Sequence, residues 1–394
     1  MAIQFARRME HLTASEIREL LKITCRPEVI SFAGGLPAPE LFPLAAIRRA
    51  AELALEKSGA EALQYSTTEG LPALRAWIAA RMNATLGTSL GPDNIMITGG
   101  SQQALDLSGK VFLDEGDTVL CESPTYLAAL SAFRAYGCRF MEIPTDEEGM
   151  DLAALEKALR ETKRVKLIYM IPNFQNPSGR SWSLERRRGL AGLAAEHGVA
   201  IIEDNPYGEL RFAGEFLPSV MSFDREGGVV ATGTFSKILC PGLRIAWVAG
   251  AKDVIARYVL VKQGADLHSG TFTQHLIASY LEENDIDAHI GAIREVYGKR
   301  CAVMLEALDR ELPQGVSVTR PEGGLFLWLE LPEGINARDV LEKCLERNLA
   351  FVPGGAFFPN CGKENTLRMN FSTMPEERIV EGVRRLGEVL RETA

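Results

Sequence analysis

Val229-Val-Ala-Thr-Gly-Thr-Phe-Ser-Lys237-Ile-Leu-Cys-Pro-Gly-Leu-Arg244-Ile-Ala-Trp-Val-Ala249 is a polar loop between two apolar runs. Val229 to Thr232 and Ile245 to Ala249 read as strands, and the loop carries Thr234, Ser236, Lys237, Gly242 and Arg244. The simplest reading of Lys237 is a solvated loop side chain. A desolvated lysine, by contrast, loses its proton more easily, and its amine becomes a nucleophile toward an aldehyde. The Thr234 and Ser236 hydroxyls with Arg244 could then hold a phosphate by charge-assisted hydrogen bonds.

Upstream of this loop, strands and helices alternate. Asn94-Ile-Met-Ile-Thr98 reads as a strand, and Gly99-Gly100-Ser101-Gln102 opens a helix. Strands over 117–122, 139–143, 165–171 and 199–203 alternate with helices over 124–136, 151–161 and 183–197, the last ended by Gly198. Apolar strands separated by helices predict an α/β fold with a mainly parallel sheet covered on both faces. Long helices follow over 252–312, then short strands and an amphipathic closing helix over 375–393. This divides the chain into an N-terminal segment over 1–50 packing with the small domain, a large domain over 51–290 and a small α+β domain over 291–394.

At 394 residues the chain suits two domains. Its net charge of −9 argues against a nucleic-acid partner, though not against one local cationic pocket. No apolar run approaches the ~20 residues that cross a bilayer, and MAIQFARRMEHLTASEIRELL lacks the apolar core of a signal peptide. The seven cysteines are odd in number without a C-x-x-C pair, and the five histidines show no H-E-x-x-H, so reduced thiols in a cytoplasm and no metal are expected. Neither G-x-G-x-x-G nor G-x-x-x-x-G-K-[ST] occurs, which sets aside a dinucleotide-dependent dehydrogenase and a P-loop enzyme.

Further candidates sit where strands end. Asp204, before Asn205-Pro206-Tyr207, is either a turn former or a carboxylate facing a protonated ring nitrogen, because open α/β sheets bind ligands at their carboxyl edge. Tyr207 is a core aromatic or a phenol donor to a ring oxygen. Asn176, in Asn173-Phe-Gln-Asn-Pro-Ser-Gly179, belongs to a turn that could present its amide to the same ligand. Ser101 and Gln102 begin a helix, either as ordinary caps or as part of an anion site. Tyr126 is a core residue or a ring that stacks on a ligand. Arg368, inside Leu367-Arg-Met-Asn-Phe371, is costly in an apolar strand unless a carboxylate meets it.

Together these stretches resemble the pyridoxal-phosphate aminotransferases of the class I/II family. The resemblance rests on S-Q-Q-A-L-D-L from Ser101, N-P-S-G from Asn176, E-D-N-P-Y from Glu203 and T-F-S-K-x-x-x-P-G-L-R from Thr234, in that order. Ser31-Phe-Ala-Gly-Gly-Leu-Pro, Leu63-Gln-Tyr65, Lys262-Gln-Gly-Ala-Asp-Leu-His268 and Phe351-Val-Pro-Gly-Gly355 are similar to the 2-aminoadipate and kynurenine aminotransferase branch. The resemblance covers the chain from Ile17 to the last helix. It implies fold type I, with a seven-stranded, mainly parallel sheet in the large domain.

It also implies roles. Lys237 bonds the aldehyde of pyridoxal 5'-phosphate and shuttles the proton, Asp204 holds the pyridine nitrogen, and Tyr126 stacks on the ring. Asn176 and Tyr207 bond the ring oxygen. Ser101, Gln102, Thr234, Ser236 and Arg244 hold the phosphate, joined by Tyr65 from the second subunit of a homodimer. Arg368 grips the substrate α-carboxylate beside Gly35, with Asn176 and Tyr65 also near the substrate, and Arg18 recognises an acidic side chain. Thr234 stands where serine is usual, which keeps the hydroxyl, and Asn205 stands where a second Asp is common. The expected reaction moves the α-amino group of 2-aminoadipate, glutamate, or an aromatic or branched amino acid to a 2-oxo acid such as 2-oxoglutarate. A racemase or β-lyase using the same cofactor is the alternative, and a transcriptional regulator of this fold the remotest one.

Overall fold

Six consecutive buried residues form the strand Val229–Thr234, two longer at its end than the sequence reading placed it. Ile95–Thr98 and Ala246–Ala249 are likewise buried at every position. Continuous burial leaves no polar face, so these strands need cover on both sides. The structure, a computed structural model, describes residues 3–11, 26–360 and 362–393.

The main sheet runs in the order Ile95–Thr98, Ala246–Ala249, Val229–Thr234, Ala200–Asp204, Val165–Met170, Thr118–Ser123, Arg139–Asp146 and Gly149–Met150. Its first seven strands are the expected ones; the eighth is a two-residue addition antiparallel to its neighbour. Among the seven only Ala246–Ala249 runs against the rest. The strands ending at Thr98, Ser123, Met170, Asp204 and Thr234 therefore all finish on one edge. The segments that follow them carry Ser101, Tyr126, Asn176, Tyr207 and Lys237, which is how distant positions come together.

Helix Ser101–Phe112 packs on Val229–Thr234 and Ala246–Ala249, and helix Leu184–His197 packs on Ala200–Asp204. The latter begins with Ser183 accepting from Arg186 N–H and ends at Gly198 with φ 61°. Asp151 caps helix Leu152–Glu161 through Ala153 and Ala154 N–H. One helix starts later than the pattern suggests, at Leu127 rather than Pro124. Thr125 N–H is taken by the carbonyl of Phe357 at 2.9 Å, so the chain stays extended through Tyr126.

A second sheet is fully antiparallel, in the order Ser317–Val318, Phe326–Glu330, Thr366–Asn370, Val352–Pro353. Arg368 lies in its interior, opposite both Trp328 and Val352. Ile30–Ser31 pairs in parallel with Leu349–Ala350, and Asn370 N–H reaches the Phe32 carbonyl at 2.8 Å. Helix Ile286–Glu311 runs unbroken through position 290, where the sequence reading set a domain boundary. Helix Glu376–Thr393 packs against it.

The two sheets meet at the loop bearing Asn176. Gly179 closes that loop at φ 72°, and a Cβ there would lie 2.6 Å from the carbonyl oxygen of Phe326. Gly179→Ala is thus expected to lose at least about 2 kcal/mol, combining backbone strain of about 1 kcal/mol with a contact that cannot relax onto a flexible side chain. Gly116→Ala, at φ 84° with open space around it, should lose only the backbone share. Urea denaturation midpoints of the two variants check this; equal losses would contradict it.

Candidate active site

Lys237 follows the strand end at Thr234 and turns its Nζ into a cleft, where it donates to the Gly35 carbonyl at 2.7 Å. Burial lowers its pKa, helped by the positive charges of Arg368 and Arg244, to about 8. The cleft holds about 330 Å³, room for a small aromatic ring with a phosphate and a small amino acid. Its lining contains Gly35, Ser101, Gln102, Tyr126, Asn176 and Asp204, together with Tyr207, Thr234, Ser236, Lys237, Arg244 and Arg368.

Asp204 is 2% exposed at the end of its strand. One oxygen accepts from Tyr169 Oη at 2.9 Å and the other from Thr232 Oγ1 at 2.8 Å. Burial raises its pKa and these two donors oppose the rise. A cation at the open side of the carboxylate would therefore be strongly favoured. Tyr207 and Asn176 are both buried near it, and burial raises the Tyr207 pKa while its bond to Asn176 resists. The ring of Tyr207 meets Phe326 edge to face at 5.8 Å.

Arg368 is the second buried cation, 2% exposed. Its Nη1 donates to Asn176 Oδ1 and its Nη2 to the Ala33 carbonyl, both at 2.7 Å. Its Nε has no partner, and among the described residues no carboxylate is paired with it. The guanidinium carbon lies 4.3 Å from the Phe326 ring centroid and 5.2 Å from that of Phe357. Burial pushes its pKa down to about 10. A buried guanidinium bonded only to neutral acceptors is a receptor for a carboxylate.

The third cation, Arg244, sits at φ 52° after the turn Pro241–Leu243, with Nη2 3.4 Å from the Gly99 carbonyl. It lies over Gly100, whose φ is 96° and where any Cβ would strike the guanidinium. Gly100 caps helix Ser101–Phe112 with no side chain, so the positive end of that helix faces the same corner. Thr234 Oγ1 is 2.9 Å from Ser236 Oγ and accepts Ser236 N–H at 3.0 Å. Gln102 Nε2 reaches the Ala128 carbonyl at 3.1 Å. The cleft thus offers Lys237, Arg244 and Arg368 against the single carboxylate of Asp204. An aldehyde-bearing pyridine with a phosphate fits this donor set: amine, carboxylate and hydroxyl-rich cationic corner each have a counterpart.

Two expected residues stand apart. Tyr65 is 78% exposed, meets His268 edge to face at 5.7 Å, and does not line the cleft of its own chain. Arg18 lies outside the described residues. Four contributors were missed. Thr232 pairs in register with Asp204, a neighbour visible once the strands are aligned in parallel. Tyr169 lies one strand away, Phe326 reaches Arg368 from the adjacent strand of its sheet, and Phe357 does so from the turn Gly355–Phe357; no local motif marks them.

The chain matches the family described as aminotransferase class I and II over residues 28–386. It is 47% identical over 392 residues to aromatic-amino-acid aminotransferase 1 of Thermococcus litoralis, covering 98% of this chain and 94% of that one. It is also 47% identical over 390 residues to the 2-aminoadipate transaminase of Thermus thermophilus, covering 98% and 96%. The solved kynurenine aminotransferase of Pyrococcus horikoshii, in complex with PMP, superposes with a TM-score of 0.95 at 44% identity, covering 99% of this chain and 97% of that one. One cleft holds a lysine of lowered pKa, a buried carboxylate and a buried arginine with no carboxylate paired to it among the described residues, and with these relatives the chain belongs to the class I and II aminotransferases, pyridoxal-phosphate-dependent transaminases of amino acids.

Proposed function

We propose that this cleft transfers the amino group of 2-aminoadipate, glutamate or a related amino acid to 2-oxoglutarate, with the side chains in the following roles. Lys237 bonds the cofactor's aldehyde carbon. Asp204 keeps the ring nitrogen protonated, Asn176 and Tyr207 bond the ring oxygen, and Tyr126 covers the ring. Ser101, Gln102, Thr234, Ser236 and Arg244 hold the phosphate. Arg368 takes the substrate α-carboxylate, with Gly35 alongside. Bound in this way, the pyridine ring supplies an electron sink for negative charge at the substrate α-carbon. Freed by the incoming substrate, Lys237 Nζ, its pKa lowered to about 8, would take the proton from the substrate α-carbon as a base and deliver it, as an acid, to the cofactor carbon that had carried the aldehyde. The observation that carries this reading is the buried Arg368 without a carboxylate, placed over the same cleft as a desolvated lysine.

The substrate side chain is the finer part of the reading. Arg18 would meet an acidic group. Relatives named for aromatic amino acids and for 2-aminoadipate are equally similar to this chain, which supports a broad donor range. The active unit is a homodimer in a cytoplasm, and Tyr65 reaches the phosphate of the partner. Supporting this, Leu44, Leu63 and Tyr65 are each more than 70% exposed, an unusual loss of apolar burial for a lone chain. No described helix is long and apolar enough to cross a membrane.

Lys237→Ala is expected to abolish the visible absorbance of lysine-bonded cofactor and to cut turnover at least about 10³-fold, since it removes both the attachment and the proton carrier. Retained transamination would overturn the assignment.

The pH dependence follows from the same amine. A lysine lowered from 10.5 to about 8 is increasingly neutral above pH 8. Labelling of Lys237 by an amine-selective reagent in cofactor-free protein should therefore rise with pH and reach half its maximum near pH 8. In Arg368→Leu, which removes one of the two charges opposing protonation, the midpoint should move upward. An unchanged midpoint there would show burial alone to be the cause.

A panel of amino donors with 2-oxoglutarate tests the substrate reading. Arg18→Ala is expected to lose about tenfold or more in kcat/KM on 2-aminoadipate and glutamate relative to leucine, the usual consequence of losing one charged hydrogen-bonding partner. Equal losses on all three would remove Arg18 from the site.

A further inference from the structure

Lys262 is fully buried, yet the cleft does not use it. It lies in the last turn of helix Lys252–Gln263. Its Nζ is 2.7 and 2.8 Å from the two carboxylate oxygens of Asp266 and 2.9 Å from Gln103 Oε1. Gln103 closes the triangle by donating from Nε2 to Asp266 Oδ2 at 2.7 Å. Its Oε1 has a second task, accepting the N–H of Gly99 at 2.8 Å.

Burying an ammonium beside a carboxylate rarely stabilises a core more than apolar packing would, because desolvation offsets the attraction. What the triangle supplies is geometry. Gly99 and Gly100 form the turn between strand Ile95–Thr98 and helix Ser101–Phe112, and two adjacent glycines have the widest backbone freedom. Gln103 ties down the N–H of Gly99 from one side, while Arg244 reaches its carbonyl from the other. Lys262 and Asp266 fix Gln103 in turn. The same lysine anchors a loop through its own carbonyl, which accepts Ala265, Asp266 and Leu267 N–H at 2.9, 3.1 and 3.3 Å. That loop leads to His268, the ring against which Tyr65 packs.

We propose that Lys262, Asp266 and Gln103 are positioning residues that hold the Gly99–Ser101 turn in the shape that receives a phosphate monoester. The inference rests on reading this corner of the cleft as the phosphate site. None of the three touches the ligand; they act through the backbone of Gly99 and through the orientation of the helix that begins at Ser101.

The test compares pyridoxal phosphate with pyridoxal, the same ring without the phosphate, titrated by absorbance into full-length protein freed of cofactor. Lys262→Met is expected to weaken pyridoxal phosphate about tenfold, the loss of one charge-assisted bond in the chain of contacts, and to leave pyridoxal unchanged. At saturating cofactor the amino-acid KM should be unaltered. Gln103→Leu should do the same and carries the test if Lys262→Met does not fold. A loss that is equal for both ligands, or no loss for either, overturns the positioning role. A wild-type protein with no preference for the phosphorylated ring overturns the phosphate reading of this corner, and the inference with it.

Discussion

A guanidinium with almost no exposure and, among the described residues, no carboxylate paired with it is the constraint on which this site depends. Leaving a charge buried and half-paired is costly, and folded chains tolerate it where a ligand completes the pair. The surroundings of Arg368 keep it in place until then. Asn176 and the Ala33 carbonyl hold the two terminal nitrogens, and Phe326 and Phe357 wall the guanidinium. These neighbours come from a loop of the main sheet, from the N-terminal segment and from the second sheet. One ion therefore brings three separate parts of the chain together at the point where the proposed reading places a carboxylate.

The electrostatics of the remaining groups point the same way. Burial makes the amine of Lys237 easier to deprotonate and the carboxyl of Asp204 harder to ionise. The two donors on Asp204 oppose the second effect. Both shifts share one main cause, burial, which disfavours the charged form of the acid and of the base alike. The whole chain carries −9, yet the cleft gathers three cations against one carboxylate. Global charge discourages polyanions, and the local excess selects small molecules with separated anionic groups.

Much of this was readable in the sequence because it follows from strand ends. Apolar runs locate the strands, parallel order puts their carboxyl ends on one edge, and the next polar residues become the candidates. That logic reaches Ser101, Tyr126, Asn176, Asp204 and Lys237. Arg368 was readable for a different reason, as a charge inside an apolar strand. What escaped depends on lateral distance. Tyr169 and Thr232 support Asp204 from adjoining strands, and Phe326 covers Arg368 from the adjacent strand of its own sheet; only register and tertiary packing make them neighbours. The helix start at Leu127 was hidden because a distant carbonyl, that of Phe357, holds Thr125 N–H and the chain stays extended through Tyr126.

The division between chemistry and selectivity follows from the same accounting. In the proposed reading, Lys237, Arg244 and Arg368 each have a counterpart: an aldehyde carbon, a phosphate and an α-carboxylate. No further cation among the described residues lines the cleft, so nothing in its floor distinguishes an acidic from an aromatic side chain. In the proposed reading, discrimination falls to groups beyond this lining, Arg18 among them. Transition-state stabilisation is set by the buried groups, and substrate range by side chains that can change without disturbing them.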